Sequence, residues 1–325
     1  MQNYIDLLED IIENGEEKKS RSGDTLSVVG RMLRWDMTKE FPLLTVRKIS
    51  FHNIVHELLW MLGAFDSEWS IFGNTNIRYL VDHNVNIWND DAYRGYVERN
   101  KNFGKEQDYD KKQFIENIKS SNTFASTYGD LGKTYGHQMR RFGGDSIDER
   151  NFKIVYDIKL NDGVDQIQKL INSVKTNPFS RRHLVSSWNP SEVDNLTLPP
   201  CHWSFLVNVN TKNEMSLMWN QRSVDCFLGL PYNIAYYGLL LKILCFLTDK
   251  KPKDLIFSGT DVHLYKNQLD ATHEVLKRKE YPDLPQVNLV NTENINRIED
   301  FRKENFSLEQ YNPLSIVKAP LSVGL

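Results

Sequence analysis

A cysteine and a histidine stand together behind two prolines in TLPPCHWSF, residues 197–205. A thiol attacks as its thiolate, and neighbouring cations or polar hydrogens lower its pKa from about 8.5. Pro199 and Pro200 restrict the backbone ahead of Cys201 and so help to aim its side chain. Taken alone, Cys201 reads better as a buried structural thiol, the reading that Cys226 and Cys245 keep in their apolar surroundings. Arginines form a second set: Arg21 in a glycine-containing loop, Arg181 and Arg182 at a helix end, and Arg222 followed by Ser223. The planar guanidinium fork matches two phosphate oxygens at once, yet each arginine alone reads as a solvated surface residue. The stretch NQRSVDCFLGLPYNIAYY gathers Gln221, Arg222, Ser223, Asp225 and Asn233 around a Gly/Pro turn into an apolar helix. An unpaired buried amide costs about 1–3 kcal/mol, so Asn233 reads as a helix cap or a ligand-facing group, the cap being the commoner case. In GTDVHLYKNQ, His263 and Tyr265 share one face of an extended segment; spacing alone makes them a pair inside the fold.

The elements that must position these groups follow from composition and pattern. The chain has 325 residues, 40% hydrophobic and 26% charged, with a net charge of −3. That is an ordinary soluble, globular composition, with no general affinity for nucleic acid or acidic membranes. Three widely spaced cysteines fit neither a disulfide scaffold nor a zinc site and point to a reducing, cytoplasmic setting. No apolar run approaches the roughly 18 residues of a membrane span, and MQNYIDLLEDIIENG lacks the layout of a signal peptide.

Tyr4, Leu7, Leu8, Ile11 and Ile12 predict a first helix ending at Asn14-Gly15. TLSVVG and RMLRWDM read as two strands, and ISFHNIVHELLWMLG as a long buried helix. Gly63 to Gly73 reads as loop, and the charged stretch 89–129 as a small exposed insertion. FKIVYDI suggests a strand and VDQIQKLINSVKTNP a helix stopped at Asn177-Pro178. HLVSSW, SFLVNVN and EMSLMWNQRS follow as strands. YNIAYYGLLLKILCFLT has the length and apolarity of a central helix, and a further helix is expected around 267–278. The fold class is α+β: a large mixed β-sheet packed by long helices, one domain over 1–325, with a small inserted subdomain at 89–129.

Taken together and in order, RSGDTLS, HELLW, NTNIRYL, YGDLGKTYGHQ, SRRHLVSSWNP, LPPCHW, QRSVDCFLGLPYNIA, GTDVHLYKNQ and KAPLSV closely resemble the thymidylate synthase family over nearly the whole chain. The resemblance implies that Cys201 is the thiolate adding to C6 of a pyrimidine nucleotide, making C5 a carbon nucleophile. It implies that Arg21, Arg222 and Ser223 grip the 5′-phosphate, joined by Arg181 and Arg182 of a second subunit in an obligate homodimer. Asn233 matches the amide reading the uracil edge, which favours dUMP over dCMP; Gln221 belongs to the same substrate-binding set. His263 and Tyr265 match the pair holding the deoxyribose hydroxyl. Asp225, Leu228, Gly229 and Tyr232 fall on the folate side, with Trp88 beside the one-carbon centre and Asp225 also in the catalytic set. Glu57 and Tyr135 match the groups that organise water and proton transfers, with His202 near the base carbonyl. Burial of Glu57 within HELLW is expected to raise its pKa into a useful range. The implied co-substrate is 5,10-methylenetetrahydrofolate, with no metal, no nucleic acid and no membrane as partner. The implied location is the cytoplasm, that of the host for a viral source.

Departures from the family pattern cluster on the folate side. Asp91 stands where a second tryptophan is usual, and Leu206 where a glutamine is. RSGDT is one residue short, an extra stretch lies between Leu62 and Asn74, and Gly324-Leu325 follow Val323. The shared path leads to an exocyclic methylene on C5. Hydride transfer to it gives dTMP and dihydrofolate; water gives 5-hydroxymethyl-dUMP and tetrahydrofolate, and exclusion of water decides between them. Thymidylate synthase is the favoured reading and dUMP hydroxymethylase the alternative. An inactive nucleotide-binding relative is opposed by the presence of Cys201, Glu57, Tyr135, Asp225 and Asn233.

Overall fold

Alternate burial of Met215, Leu217, Trp219 and Gln221 places one face of a long strand against a core, as the two-residue period of extended chain requires. That strand belongs to a six-stranded sheet. In chain order the strands are β1 (Glu16–Lys18), β2 (Thr25–Asp36), β3 (Leu184–Ser186), β4 (His202–Val209), β5 (Glu214–Asp225) and β6 (Lys251–Tyr265). Their spatial order is β1-β2-β6-β5-β4-β3. Only β5 and β6 run parallel; the other neighbours are antiparallel. A computed structural model describes residues 1–20, 22–102, 109–156 and 158–322; Arg21, Val323, Gly324 and Leu325 lie outside the described residues.

The parallel pair needs a crossover, and the Leu230–Thr248 helix supplies it. Its 19 residues would suffice in length and hydropathy for a membrane span, longer than the sequence reading allowed, but most of the helix is buried in the core. It packs on β5, β6 and the Phe51–Leu62 helix. Gly238 permits this approach: a Cβ there would lie 2.9 Å from the Phe41 ring. The mixed sheet with long helices is the α+β architecture expected.

Several local expectations are corrected. The two strands read in TLSVVG and RMLRWDM are one, β2, which passes through Gly30 at φ 69°; glycine tolerates this left-handed conformation. Four residues between Gly63 and Gly73, Ser67–Ser70, are helical. FKIVYDI lies largely in a helix, Ile147–Val155, rather than a strand. Ser146 and Glu149 accept each other's backbone N–H, at 3.2 and 2.7 Å, a reciprocal cap that favours helix. The helices Gln2–Asn14 and Gln166–Thr176 follow their apolar periodicity, and the last is shorter than expected, Leu269–Leu276.

The stretch 89–129 holds the helices Asn89–Asn102, Lys111–Ser120 and Asn122–Tyr128. Tyr96, Phe114, Ile118 and Ala125 are fully buried and belong to the same continuous cluster as Leu58 and Leu239. The Tyr96 ring sits 5.0 Å from Phe114 and 5.2 Å from Tyr128. The many charges of this stretch mask the aromatics scattered among them, so composition read by charge hides the packing. Phe114→Ala is therefore expected to destabilise the whole protein by about 3–5 kcal/mol, measured by urea denaturation. An unchanged main transition would mean that the segment is an independent appendage.

Candidate functional site

Cys201 immediately precedes β4, where the β4–β5 pairing shifts register between His202 and Ser204. Its N–H donates to Tyr135 Oη at 2.7 Å, and its carbonyl accepts the Arg222 N–H at 2.9 Å. The Arg222 guanidinium donates to Pro200 O at 3.0 Å and Pro199 O at 2.8 Å, and Nη2 lies 3.7 Å from Cys201 Sγ. The two prolines thus offer carbonyls that one half-buried arginine gathers. Burial pushes the Cys201 thiol above its ordinary pKa; Arg222 and Tyr135 oppose the rise without cancelling it. The lowering that a neighbouring cation brings is not enough here, because desolvation outweighs a single guanidinium.

Opposite lies Glu57, inside the Phe51–Leu62 helix and 9% exposed. Trp88 Nε1 donates to its Oε1 at 2.8 Å. Burial lifts the carboxyl from 4.5 to about 7, and the Trp88 hydrogen bond only partly restrains it, as the helix HELLW led one to expect. Trp88 packs 5.6 Å from Trp60 and edge-on to Tyr135 at 5.5 Å, and Tyr135 lies 4.3 Å from His202. One aromatic wall therefore joins Glu57 to Cys201. His202 Nδ1 meets Tyr237 Oη at 2.8 Å, and burial pushes its pKa down to about 3, so the ring is neutral.

The ends of β5 and β6 bring a further set together. Gln221 is buried, its Oε1 accepting Trp219 Nε1 at 2.9 Å. Ser223 lies opposite Asp261 in the sheet register. His263 and Tyr265 stand edge to face at 5.1 Å. Asp225 Oδ1 accepts the N–H groups of Phe227 and Leu228, both at 2.9 Å, and Oδ2 accepts Gln268 Nε2 at 2.9 Å. This turn, closed by the Gly229 N–H on Asp225 O, leads into the Leu230–Thr248 helix. The N-cap is Gly229, so Asn233 is not a cap. Its half-buried amide has no side-chain partner among the described residues. Tyr232 is half-buried and bonds the Ser50 backbone. Arg181 and Arg182 are exposed just before β3, and their guanidinium groups make no hydrogen bond or ion pair among the described residues.

Sequence reasoning missed four contributors: Tyr237, Gln268, Arg94 and Asp261. Arg94 Nη2 pairs with Asp91 at 2.8 Å and donates to Thr197 O at 3.0 Å, steadying the turn ahead of Cys201. The charge at Asp91, noted as a departure, was the available signal. Gln268 also reaches Pro320 O at 3.4 Å, and Asn267 bonds Ser322 at 3.1 Å, so the described tail lies against the Asp225 turn.

A family model described as thymidylate synthase matches residues 2–323. Among curated relatives described as thymidylate synthase, that of Malacoplasma penetrans is 39% identical over 99% of this chain and 100% of its own length. The Mesoplasma florum relative is 39% identical over 87% of each chain. The Mycoplasma pneumoniae relative is 37% identical over 99% of this chain and 100% of its own.

The raised carboxyl of Glu57 has a consequence for stability. Its unfolded form ionises near 4.5 and its folded form near 7, so stability is full below the lower value, falls as pH rises between them, then levels. Glu57→Gln removes this loss. Its advantage in unfolding free energy over the parent is expected to grow from pH 4.5 to pH 7 and then stay constant, in urea titrations across that range. A difference independent of pH would show that Glu57 is not held protonated.

Proposed function

The chain belongs to the thymidylate synthase family, and from that premise we propose that it reductively methylates dUMP with Cys201 as nucleophile and 5,10-methylenetetrahydrofolate as co-substrate. It is a one-carbon transferase of the thymidylate synthase type. The observation that carries the residue assignment is the pairing of Cys201, clasped by Arg222 and Tyr135, with a buried Glu57 whose carboxyl titrates near 7.

The residues present suit the ligands. Asn233 offers an amide with both a donor and an acceptor to the uracil edge. His263 leaves a buried ring nitrogen, Nε2, without a partner among the described residues, as a site for the sugar hydroxyl. Arg222 and Ser223 are assigned to the phosphate, with Arg21 outside the described residues. Asp225 presents a fixed carboxylate to an N–H-rich heterocycle, with Leu228 and Gly229 in the same turn. Trp88 and Tyr232, both near Glu57, are assigned to the same ligand. The folate, when bound, supplies the one-carbon unit and, on the synthase route, the hydride.

In this reading Cys201 Sγ adds to C6, and the C5–C6 electrons move toward C5 and the C4 carbonyl. Arg222 Nη2 at 3.7 Å favours the thiolate that the step needs. Glu57 donates and accepts protons with little cost in either direction, since its carboxyl titrates near the working pH. Tyr135 holds Cys201 in place and, with His202, orders the polar groups near the base. The Asp91 and Arg94 side chains are only 15% and 9% exposed and tied to each other. This closed polar pair supports exclusion of water and so the methyl product over the hydroxymethyl one.

A homodimer completes the proposal. Directly paired residues share a face of the sheet, so Leu184, Leu206, Met218 and Ile256 form an apolar row across β3, β4, β5 and β6. Leu184 is 48% exposed, and Met32, two residues from the Arg34 that pairs with Ile256 and so on the same face, is 62% exposed. Leu206, a departure from the family pattern, lies within this row and suits a sheet-to-sheet contact between copies. Arg181 and Arg182 are then donated to the partner's phosphate site. Three unpaired cysteines are compatible with the cytoplasmic setting proposed.

Two experiments test this reading. Mass analysis of the product from dUMP and methylenetetrahydrofolate is expected to show the methyl product with dihydrofolate, and Cys201→Ser is expected to abolish turnover. An added oxygen without dihydrofolate supports the hydroxymethylase, and substantial activity in Cys201→Ser contradicts the mechanism. Mixing inactive Cys201→Ser with an inactive Arg181→Ala/Arg182→Ala variant under subunit exchange is expected to restore up to about a quarter of the sites. No recovery would contradict arginine donation across an interface.

A further inference from the structure

A bare acceptor sits at the end of a hydrogen-bond chain that begins outside the set of residues assigned to the nucleotide. Lys18 on β1 donates from Nζ to Ser27 Oγ at 3.1 Å and approaches Asp261 Oδ2 at 3.4 Å. Ser27 on β2, thus occupied as an acceptor, donates to Asp261 Oδ1 at 2.9 Å. The same Oδ1 lies 3.0 Å from His263 Nδ1. Asp261 and His263 stand two residues apart on β6, and Ser27 is opposite His263 in the register, so the sheet itself brings the three together.

The direction of the protons follows from the chemistry of the groups. The hydrogen bonds from His263 and Ser27 hold the Asp261 carboxyl well below the usual carboxylate range, so it is ionised and can only accept. His263 Nδ1 therefore carries a ring proton, and whenever the ring is neutral it is Nε2 that keeps the lone pair. His263 is only 7% exposed and its Nε2 has no partner among the described residues. Tyr265, next on the same face, has its ring perpendicular to His263 and is hydrogen-bonded by the Ser22 side chain. A ligand hydroxyl placed between the two rings donates its hydrogen to Nε2 and accepts from the Tyr265 phenol.

We propose that Lys18, Ser27 and Asp261 are positioning residues that fix His263 as a hydrogen-bond acceptor, so that the site selects a nucleotide whose sugar carries a free, donating 3′-hydroxyl. This rests on the dUMP reading given above and adds a polarity to it. A nucleotide whose 3′-oxygen is substituted, as within an oligonucleotide, has no hydrogen to give and is rejected. Asp261→Asn reverses the arrangement: the amide can donate to Nδ1, the ring proton moves to Nε2, and the ligand hydroxyl loses its acceptor.

Calorimetric binding of dUMP and of 2′,3′-dideoxyuridine 5′-monophosphate separates this role from a merely structural one. The wild-type protein is expected to prefer dUMP by about tenfold or more, the scale of one well-placed hydrogen bond. In Asp261→Asn that ratio is expected to collapse, with affinity for the dideoxy analogue little changed. A ratio that survives in Asp261→Asn, or an equal loss for both ligands, overturns the proposal. A wild-type protein that binds dUMP without regard to the 3′-hydroxyl also overturns it while leaving the dUMP reading intact; one that binds neither nucleotide contradicts both. A second measurement does not depend on the variant folding. Ring-nitrogen NMR of the wild-type protein at pH 8, with His263 assigned through His263→Gln, is expected to show Nδ1 protonated and Nε2 bare. A proton on Nε2 contradicts the assignment.

Discussion

The site depends on how one arginine holds a turn that cannot hold itself. Pro199 and Pro200 have no N–H to donate, and their carbonyls, half-withdrawn from water, need partners from elsewhere. Arg222 supplies them through Nε and Nη2 while its own backbone N–H caps the Cys201 carbonyl. The position of Cys201 is thereby tied to the register of β4 on β5, in which His202 faces Gln221. A lysine could not reproduce the fork, since its single ammonium cannot place donors along two carbonyls and the sulfur in one plane.

Burial gives the centre its electrical character. It raises the Glu57 carboxyl to about 7, lowers the His202 ring to about 3 and raises the Cys201 thiol. All three shifts favour the uncharged form. His202 and Cys201 are thus neutral near pH 7, and Glu57 is balanced between its two forms. Charge arises where cations and polar hydrogens offset desolvation, which is why a guanidinium beside the sulfur matters more than a histidine next to it in sequence. The sheet's edge-to-edge register then extends the same logic outward, from Asp261 to His263 on one side and from Gln268 to Asp225 on the other.

Much of this was legible in the chain. The helices Gln2–Asn14, Phe51–Leu62 and Leu230–Thr248 show their periodicity or their length, and the strands β3 to β5 are bounded by turn residues. The turn around Cys201 and the cluster from Gln221 to Asn233 were visible as motifs, whereas the capping role read for Asn233 falls to Gly229, which occupies the N-cap. What stayed hidden depends on long-range contact. The alternation in FKIVYDI lost to a local cap at Ser146. The aromatic cluster of Tyr96, Phe114 and Tyr128 joins three helices through residues far apart in a charged stretch. Neither the Arg222 clasp nor the Lys18–Ser27–Asp261 chain has a signature in spacing, because each joins strands distant in sequence. The rise in the Cys201 thiol pKa was not legible either, since sequence shows neighbouring cations but not the depth of burial.

The central claim is that Cys201, rather than either buried thiol, bonds covalently to the base during one-carbon transfer. Replacing the C5 hydrogen of dUMP by fluorine blocks the proton loss that lets the reaction proceed, so the adduct should accumulate. Intact-protein mass analysis after incubation with 5-fluoro-dUMP and methylenetetrahydrofolate is expected to show the combined mass of both ligands, mapped by proteolysis to the peptide containing Cys201. An unmodified protein, or an adduct on Cys226 or Cys245, would contradict the account.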